Sequence, residues 1–499
     1  MAPPALQWCP DWTPEHRRAI DLFADKRNLF VTGSAGTGKT LLLNHLISLA
    51  GTVGVHCTAL TGLAALNIRG TTLHKFAGCG LARGDADYLF RNMSYCTKGR
   101  WRSARVLFID EVSMLDADFF EKLDRLARRV RMSPHELFGG IQLVMVGDFF
   151  QLPPVGQVAM DGSGGQKRML FESPAFRDDG VCKILPHEDC APDNLALVGD
   201  PLHRDRKADL KPVTVRMLLA AINAWCLKPF EETTNYHHFI DYHGQAPCME
   251  AIEMVKLTKV FRQKEPELVG LLEAVRLGRV ERRHLDVLDA LQRPLDADDI
   301  RPTKLYPLNS MVDAENARRL AGEECSGPPV TYEALDAGKQ PDLKYLIKNC
   351  PAAEILVLRV GAQVIHTVNH PSHPDVVNGS RGVVTGFTPD GLPRVKYAAC
   401  SMDVVTHRWD HCPSPHSTAV TASRTQLPLR LGWSISIHRS QGMSIDFLEV
   451  FLDKIFGDGM AYVALSRSTS LAGLRVHSSH VLLERLTANP AVVAFDESM

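Results

Sequence analysis

Missing from this sequence is any Cys-x-x-Cys pair, although it holds 12 cysteines in 499 residues. That scatter excludes a disulfide framework and suggests the reduced thiols of an intracellular protein. No run of about 18 apolar residues occurs, so neither a membrane-spanning helix nor a membrane partner is expected. Met1–Trp12 holds no lysine, no arginine and no apolar stretch, unlike a secretory signal. An excess of positive charge is absent too: 56 basic against 57 acidic residues leave a formal charge of −1. Any grip on a polynucleotide must then come from a local groove, not from a global field. Internal repeats and long low-complexity tracts are also lacking. The rest is ordinary, with 45% hydrophobic and 23% charged residues. The chain is too long for one core, so about two to four domains are expected.

One segment stands apart. Residues 33–40 read Gly-Ser-Ala-Gly-Thr-Gly-Lys-Thr, the G-x-x-x-x-G-K-[ST] phosphate-binding loop. The apolar run Asn28–Thr32 before it reads as a buried strand and Leu41–Ala50 after it as a helix, the context this motif needs. Backbone N–H groups of Gly33, Ser34, Ala35, Gly36, Thr37 and Gly38, with the helix N-terminus, would wrap a triphosphate. Lys39 would reach the β- and γ-phosphates, and the Thr40 hydroxyl would bind Mg²⁺. ATP and Mg²⁺ are the expected cofactors.

Around this loop, strand-like and helix-like stretches alternate through roughly the first 180 residues. Strands are expected at Leu29–Thr32, Gly54–Thr58, Val106–Ile109 and Gln142–Val146; helices at Glu15–Ala24, Leu41–Ala50 and Ala117–Val130. Short apolar runs alternating with helices imply an α/β fold with a parallel sheet covered on both faces. Active groups then lie on loops at the carboxyl ends of the strands. Residues 177–250, rich in His, Asp, Asn and Pro, break the pattern and read as an insertion of uncertain fold. Its cysteines and histidines lack a recognisable zinc spacing. A second alternating region begins near 251. From 351 to 429, β-rich stretches split by Gly, Asn and Pro turns suggest a small all-β barrel inserted into a second lobe. The α/β pattern returns over 430–499.

Leu107–Ile109 leads into Asp110 and Glu111, a strand ending in two carboxylates. Beside a phosphate loop, Asp110 would hold Mg²⁺ and Glu111 would position and deprotonate the attacking water. Gln151, within Gly147–Pro154, is placed to sense the γ-phosphate. Arg262 and Arg467 are candidate fingers, guanidinium groups reaching across a cleft. Ser436–Gly442 carries Gln441 and Gly442, candidates for coupling phosphate state to movement, and His438, which would meet the polynucleotide.

Together these segments resemble the PIF (petite integration frequency) DNA helicases of superfamily 1B, over most of the chain. Cys57–Ala65 with Gly70–Gly78 is similar to that family's single-strand-contacting segment. Asp118–Arg128, Phe138–Gln142 and Gly147–Pro154 resemble its signature. Lys304–Asn309, Val377–Gly382, Arg424–Pro428 and the two closing motifs follow in the family's order. The resemblance implies two RecA-like P-loop lobes, the first over 1–176 and the second over 251–350 and 430–499. It implies a wedge at about 81–102 in the first and an SH3-like β-barrel at 351–429 in the second. It further implies a monomeric, ATP-dependent helicase moving 5′-to-3′ on single-stranded DNA. Its partners would be tailed duplexes, RNA–DNA hybrids and G-quadruplex DNA, and its setting genome maintenance: replication, repair, recombination and telomeres.

Candidate DNA contacts are Thr72, His74, Phe76, Pro153, Asn309, Asn378, Ser380 and His438. Lys98, Arg100, Trp101, Arg102 and Arg105 form a basic, aromatic-bearing cluster at the wedge, either DNA-facing or solvated. Arg125, Arg128, Arg129 and Arg131 read mainly as surface charge. Where such helicases carry an adenine-reading glutamine upstream of the loop, this chain has His16. Histidine does not offer an amide's paired donor and acceptor, so relaxed nucleotide selectivity is expected. Two other readings stand beside the helicase. One is a nucleotide-gated DNA-binding ATPase without strand separation; the full set Lys39, Asp110, Glu111, Gln151, Arg262 and Arg467 weighs against it. The other is an RNA-directed superfamily 1 helicase; the signature weighs against that.

Overall fold

The computed structural model describes residues 12–154, 168–176, 252–295, 300–411, 420–477 and 486–499, apart from positions 81, 83, 174, 341, 374 and 456. The insertion expected at 177–250, with its cysteines and histidines, lies outside the described residues.

The first lobe is built on six parallel strands: β1 (Asn28–Gly33), β2 (Val55–Ala59), β3 (Thr71–Thr72), β4 (Val106–Asp110), β5 (Gln142–Val146) and β6 (Ile252–Leu257). They lie in the order β3-β2-β4-β5-β1-β6. β1 and β4 are buried at every residue, as strands covered on both faces must be. Helices Pro14–Ala24 and Lys39–Leu49 cover one face through Ala19, Phe23, Leu42 and Leu46. Helix Ala117–Arg131 covers the other through Phe120, Leu123 and Leu126.

The expected boundary at 251 needs correction. β6 pairs with β1 along all six residues, so the first sheet takes its last strand from beyond 177–250. An apolar run announces a strand but not which sheet it joins. Arg262, five residues past β6, therefore sits on the phosphate loop's side of the cleft.

The second lobe holds a parallel sheet with spatial order Ser434–Ser436, Thr303–Tyr306, Leu448–Phe451, Leu474–His477. Between Tyr306 and Ser434 the chain forms antiparallel sheets of five, three and two strands. This region starts at Ser326, earlier than the expected 351: Ser326–Glu333 pairs with Ile355–Val360, and Leu335–Gly338 with Ala422–Gln426. Pro328 and Pro329 disguised the first of these, being tolerated there because the strand is an edge.

Residues expected to form a wedge fold as helices Ala86–Asn92 and Tyr95–Ser103. Of their aromatic-basic cluster, Trp101 is internal, Lys98 and Arg100 are half-buried, and Arg102 and Arg105 are exposed. Trp101 is fully buried, 4.8 Å from the Phe76 ring. Arg100 donates to the Lys75 and Phe76 carbonyls, each at 2.9 Å. The surface reading of the next basic group also fails: Arg128 is buried in an ion pair with Asp124 at 2.7 Å, and Arg131 bonds the Trp101 and Ala104 carbonyls.

Two elements tie the parts together. Helix Pro490–Ser498 returns from the second lobe to the first, stacking Phe495 on Phe171 (4.7 Å, 11°) and pairing Asp496 with Lys256 at 2.7 Å. From the antiparallel region, helix Asp342–Asn349 meets the first lobe. Tyr345 accepts a hydrogen bond from Thr72 N at 2.8 Å, and Asp342 and His411 each lie 2.8 Å from Lys75 Nζ.

Candidate nucleotide and nucleic-acid site

The phosphate loop turns through Gly36 and Gly38, at φ +86° and +87°, a region that glycine enters freely. A Cβ on Gly36 would fall 2.7 Å from the Arg262 Cβ. The helix begins at Lys39, whose Nζ donates to the Gly33 and Ser34 carbonyls at 2.6 and 2.8 Å. Burial pulls its pKa down to about 8. Thr40, next on the helix, is exposed. Asp110 ends β4, and its carboxylate accepts a bond from Glu111 N at 2.9 Å. Burial raises both carboxyls above the ordinary range, and the like charge of Asp110 adds to the rise at Glu111.

The second lobe supplies the opposite wall. Gln441 Nε2 donates to Glu111 Oε2 at 2.8 Å across the cleft. Gly442 beside it is exposed, at φ +80°. Arg467 is 2% exposed and bonded to Val463 O at 2.8 Å and Ser466 Oγ at 2.8 Å. Burial and the neighbouring Arg262 charge pull its pKa down to about 9. Arg262 reaches from the first lobe to Ser466 O at 3.1 Å, and burial lowers its pKa as well. Of the two expected fingers, only Arg467 comes from the far lobe. Three desolvated cations, Lys39, Arg262 and Arg467, thus converge where a polyanion would offset their burial. Gln151 is buried, its amide 3.4 Å from Asp148.

His16 is buried behind the loop. Its Nδ1 lies 2.7 Å from Thr13 Oγ1, its ring faces the Thr37 backbone, and burial lowers its pKa. With the ring buried and Nδ1 engaged by Thr13, little of the imidazole is left for a ligand. Its ring meets Trp12 at 5.0 Å and Phe261 at 6.0 Å. Phe261, 37% exposed, presents an open ring beside Gly38.

The DNA candidates divide. Thr72 caps helix Leu73–Ala77, its hydroxyl accepting from Lys75 N, and His74 stacks on Phe119 at 4.3 Å. Phe76 must be corrected: it is 1% exposed, packed between His56 and Trp101, and belongs to the core. Its place in a five-residue helix explains this, since Leu73, Phe76 and Ala77 are buried while His74 stays partly exposed on Phe119. Pro153 is half-buried and lines a small cavity of about 20 Å³ with Gln151, Asp458 and Gly459. Asn309 and His438 are exposed just past the carboxyl ends of two adjacent strands. Asn378 and Ser380 flank Gly379, which backs onto Ser444; the Ser380 hydroxyl accepts from Val377 N at 2.9 Å.

Known proteins resemble this chain in sequence and fold. A family model described as PIF1-like helicase matches residues 18–173. The rat ATP-dependent DNA helicase PIF1 is 35% identical over 478 residues, covering 94% of this chain and 61% of the relative. The chain thus spans about three fifths of the length of the curated relatives it matches. The crystal structure of Pif1 helicase from Candida albicans is 30% identical, covers 98% of this chain and 99% of that one, and superposes with a TM-score of 0.65. The chain belongs to the PIF1-like helicase family. A Bacteroides Pif1 crystallised with ADP-AlF4 is 26% identical over 97% of this chain and 96% of that one, with a TM-score of 0.70. The same Bacteroides protein was also crystallised bound to ssDNA, with a TM-score of 0.56.

For a PIF1-like helicase a magnesium ion is implied, and the residues fit one. Asp110 is a buried carboxylate raised in pKa by desolvation, and Thr40 offers a hydroxyl in the first helical turn. Among the described residues no group of three His, Cys, Asp or Glu side chains makes a metal cage. That suits a cation that keeps waters and substrate oxygens in its shell.

Four further residues of the site escaped sequence reading. Phe261 stood beside Arg262, and Tyr462 opened the Arg467 segment, so proximity was a signal for both. Gln263 donates to the Ser466 and Ser468 carbonyls at 3.1 and 2.9 Å. Arg276, buried against Asp148, is one arginine in an amphipathic helix and left no signal.

Proposed function

We propose that the chain is an ATP-dependent DNA helicase that moves 5′-to-3′ on single-stranded DNA and separates tailed duplexes. The observation carrying this reading is the bond from Gln441 to Glu111: an acid at the phosphate loop is met by an amide of the opposite lobe, three residues past the DNA candidate His438. In this reading Lys39 steadies the β- and γ-phosphates, while Asp110 and Thr40 hold magnesium. The bound ion neutralises phosphate charge. Glu111, raised in pKa, takes the proton of the attacking water, and Gln151 senses the γ-phosphate. Arg262 and Arg467 stabilise charge on the transferred group. Thr72, His74, Asn309, Asn378, Ser380 and His438 grip the strand through phosphates and bases without reading sequence. Helices 86–92 and 95–103 serve as the wedge, and the antiparallel region as the SH3-like barrel. RNA–DNA hybrids and G-quadruplexes are further substrates, and a monomer is the working unit.

Strand displacement tests this. Duplexes with a 5′ tail are opened with ATP and Mg²⁺, those with only a 3′ tail are not, and Lys39→Ala binds DNA without displacing it. Opening of 3′-tailed substrates alone would reverse the polarity, and hydrolysis indifferent to oligonucleotide would remove the motor.

A further inference from the structure

We propose that Tyr462 is a positioning residue whose phenol ties the phosphate loop to the second lobe, so that the loop's hold on a nucleoside triphosphate follows the DNA state of that lobe. The inference rests on the helicase reading and adds a residue to it.

The Tyr462 oxygen accepts a hydrogen bond from Ala35 N at 2.6 Å. Ala35 lies in the middle of the phosphate loop, and Tyr462 in helix Met460–Leu465 of the second lobe. The bond engages the loop's backbone, the part that shapes the anion cradle. Within the described residues the phenol accepts this bond and donates none.

The contact is held rigidly. Every residue of Met460–Leu465 is buried, and Tyr462 is 2% exposed, so the ring does not swing independently of its helix. The helix is pinned at its start, where Gly459 adopts φ +72° and a Cβ would fall 2.3 Å from Gln151 O. It is pinned at its end as well. Ser466 O accepts from both Arg262 and Gln263, and these two residues also crowd Gly36 of the loop. The loop thus meets the helix directly at Ala35 and, through Arg262 and Gln263, indirectly at Gly36.

From the helix the contacts run on toward the strand-gripping side. Arg467 Nη1 donates to Ser440 O at 3.4 Å, and Ile445 N donates to Arg467 O at 2.9 Å. Those contacts hold the turn that carries His438 and Gln441. A shift of that turn on DNA is transmitted to the Tyr462 helix, and from there to the loop. Coupling of this kind is reciprocal and measurable as a ratio of affinities.

The experiment measures the affinity of a fluorescent non-hydrolysable ATP analogue, with and without saturating oligothymidine, for the wild-type chain and Tyr462→Phe. Oligonucleotide is expected to tighten the analogue at least about fivefold in the wild type. In Tyr462→Phe, which keeps the ring, the gain should fall below about twofold. Hydrogen exchange at the Ala35 amide is the second readout: protected in the wild type, fast in a Tyr462→Phe protein that melts as the wild type does. An equal DNA-induced gain in both proteins, or a fast Ala35 amide in the folded wild type, overturns the assignment; the latter holds even where the variant does not fold. A wild type that fails to bind the analogue sinks the helicase reading, and this proposal with it.

Discussion

The Arg276 guanidinium lies 3.2 Å from the Asp148 carboxylate and 3.3 Å from that of Asp496, with all three residues buried. One cation thereby joins the glutamine-bearing loop to helix Pro490–Ser498, with the Phe150 ring 4.1 Å below it. Removing the charge leaves the fully buried Asp148 without its cation, while Asp496 keeps only Lys256. Arg276→Met is expected to cost about 3–5 kcal/mol of stability, read as a lower urea midpoint. Arg276→Lys recovers only part, because its shorter ammonium must reach the place where Nη2 meets both carboxylates and lacks the flat guanidinium face laid on Phe150. A midpoint unmoved in Arg276→Met would contradict this.

Glu111→Gln should abolish hydrolysis and yet stabilise the nucleotide-free protein. Burial and the charge of Asp110 raise the folded pKa of Glu111 above its unfolded value. A raised carboxyl favours folding while protonated, so this contribution is full below the unfolded pKa and is lost as pH climbs toward the folded one. The amide escapes that loss and still offers an oxygen to Gln441. A gain on the order of 1 kcal/mol is expected at neutral pH, fading in acid. Thermal melts across pH read it; a variant that melts lower than the wild type at pH 7.5 refutes the account.

Nucleotide choice should be loose. His16 spends one nitrogen on Thr13 and turns its ring to the Thr37 backbone, so it does not read a base edge. The partly exposed Phe261 ring, with Lys259 Nζ 5.0 Å from its centre, would stack any base alike. ATP and GTP are expected to support hydrolysis within about tenfold of each other, a difference of about 1.4 kcal/mol. Phe261→Ala should raise KM for both. A strong preference for ATP in steady-state assays would show that another group reads adenine.

Neighbouring residues in one short helix should part company on mutation. Phe76 is core, so Phe76→Ala is expected to cost about 3–5 kcal/mol while the folded fraction keeps its DNA affinity. His74→Ala should do the reverse, weakening oligonucleotide binding with little loss of stability. Fluorescence anisotropy and denaturation on the same preparations separate the two.

Much of this was legible in the sequence. The phosphate loop announces itself because its chemistry fixes residue types at fixed spacing, and β5 matches its expected ends because a strand covered on both faces is continuously apolar. Phe76 was misjudged because a five-residue helix carries too few positions to reveal which side faces in. β6 was assigned to the wrong lobe because strand partnership is set by tertiary packing hundreds of residues away. Arg276 left no trace, since a buried ion pair becomes visible only when Asp148 and Asp496 are seen on either side of it.

Helix Pro490–Ser498 has a mechanical consequence. The polypeptide leaves the first lobe after β6, builds the second, and comes back to bolt Phe495 and Asp496 onto the first. The two halves are thus fastened twice, once by the chain that runs on past β6 and once by this returning helix, so losing either fastening would still leave them joined.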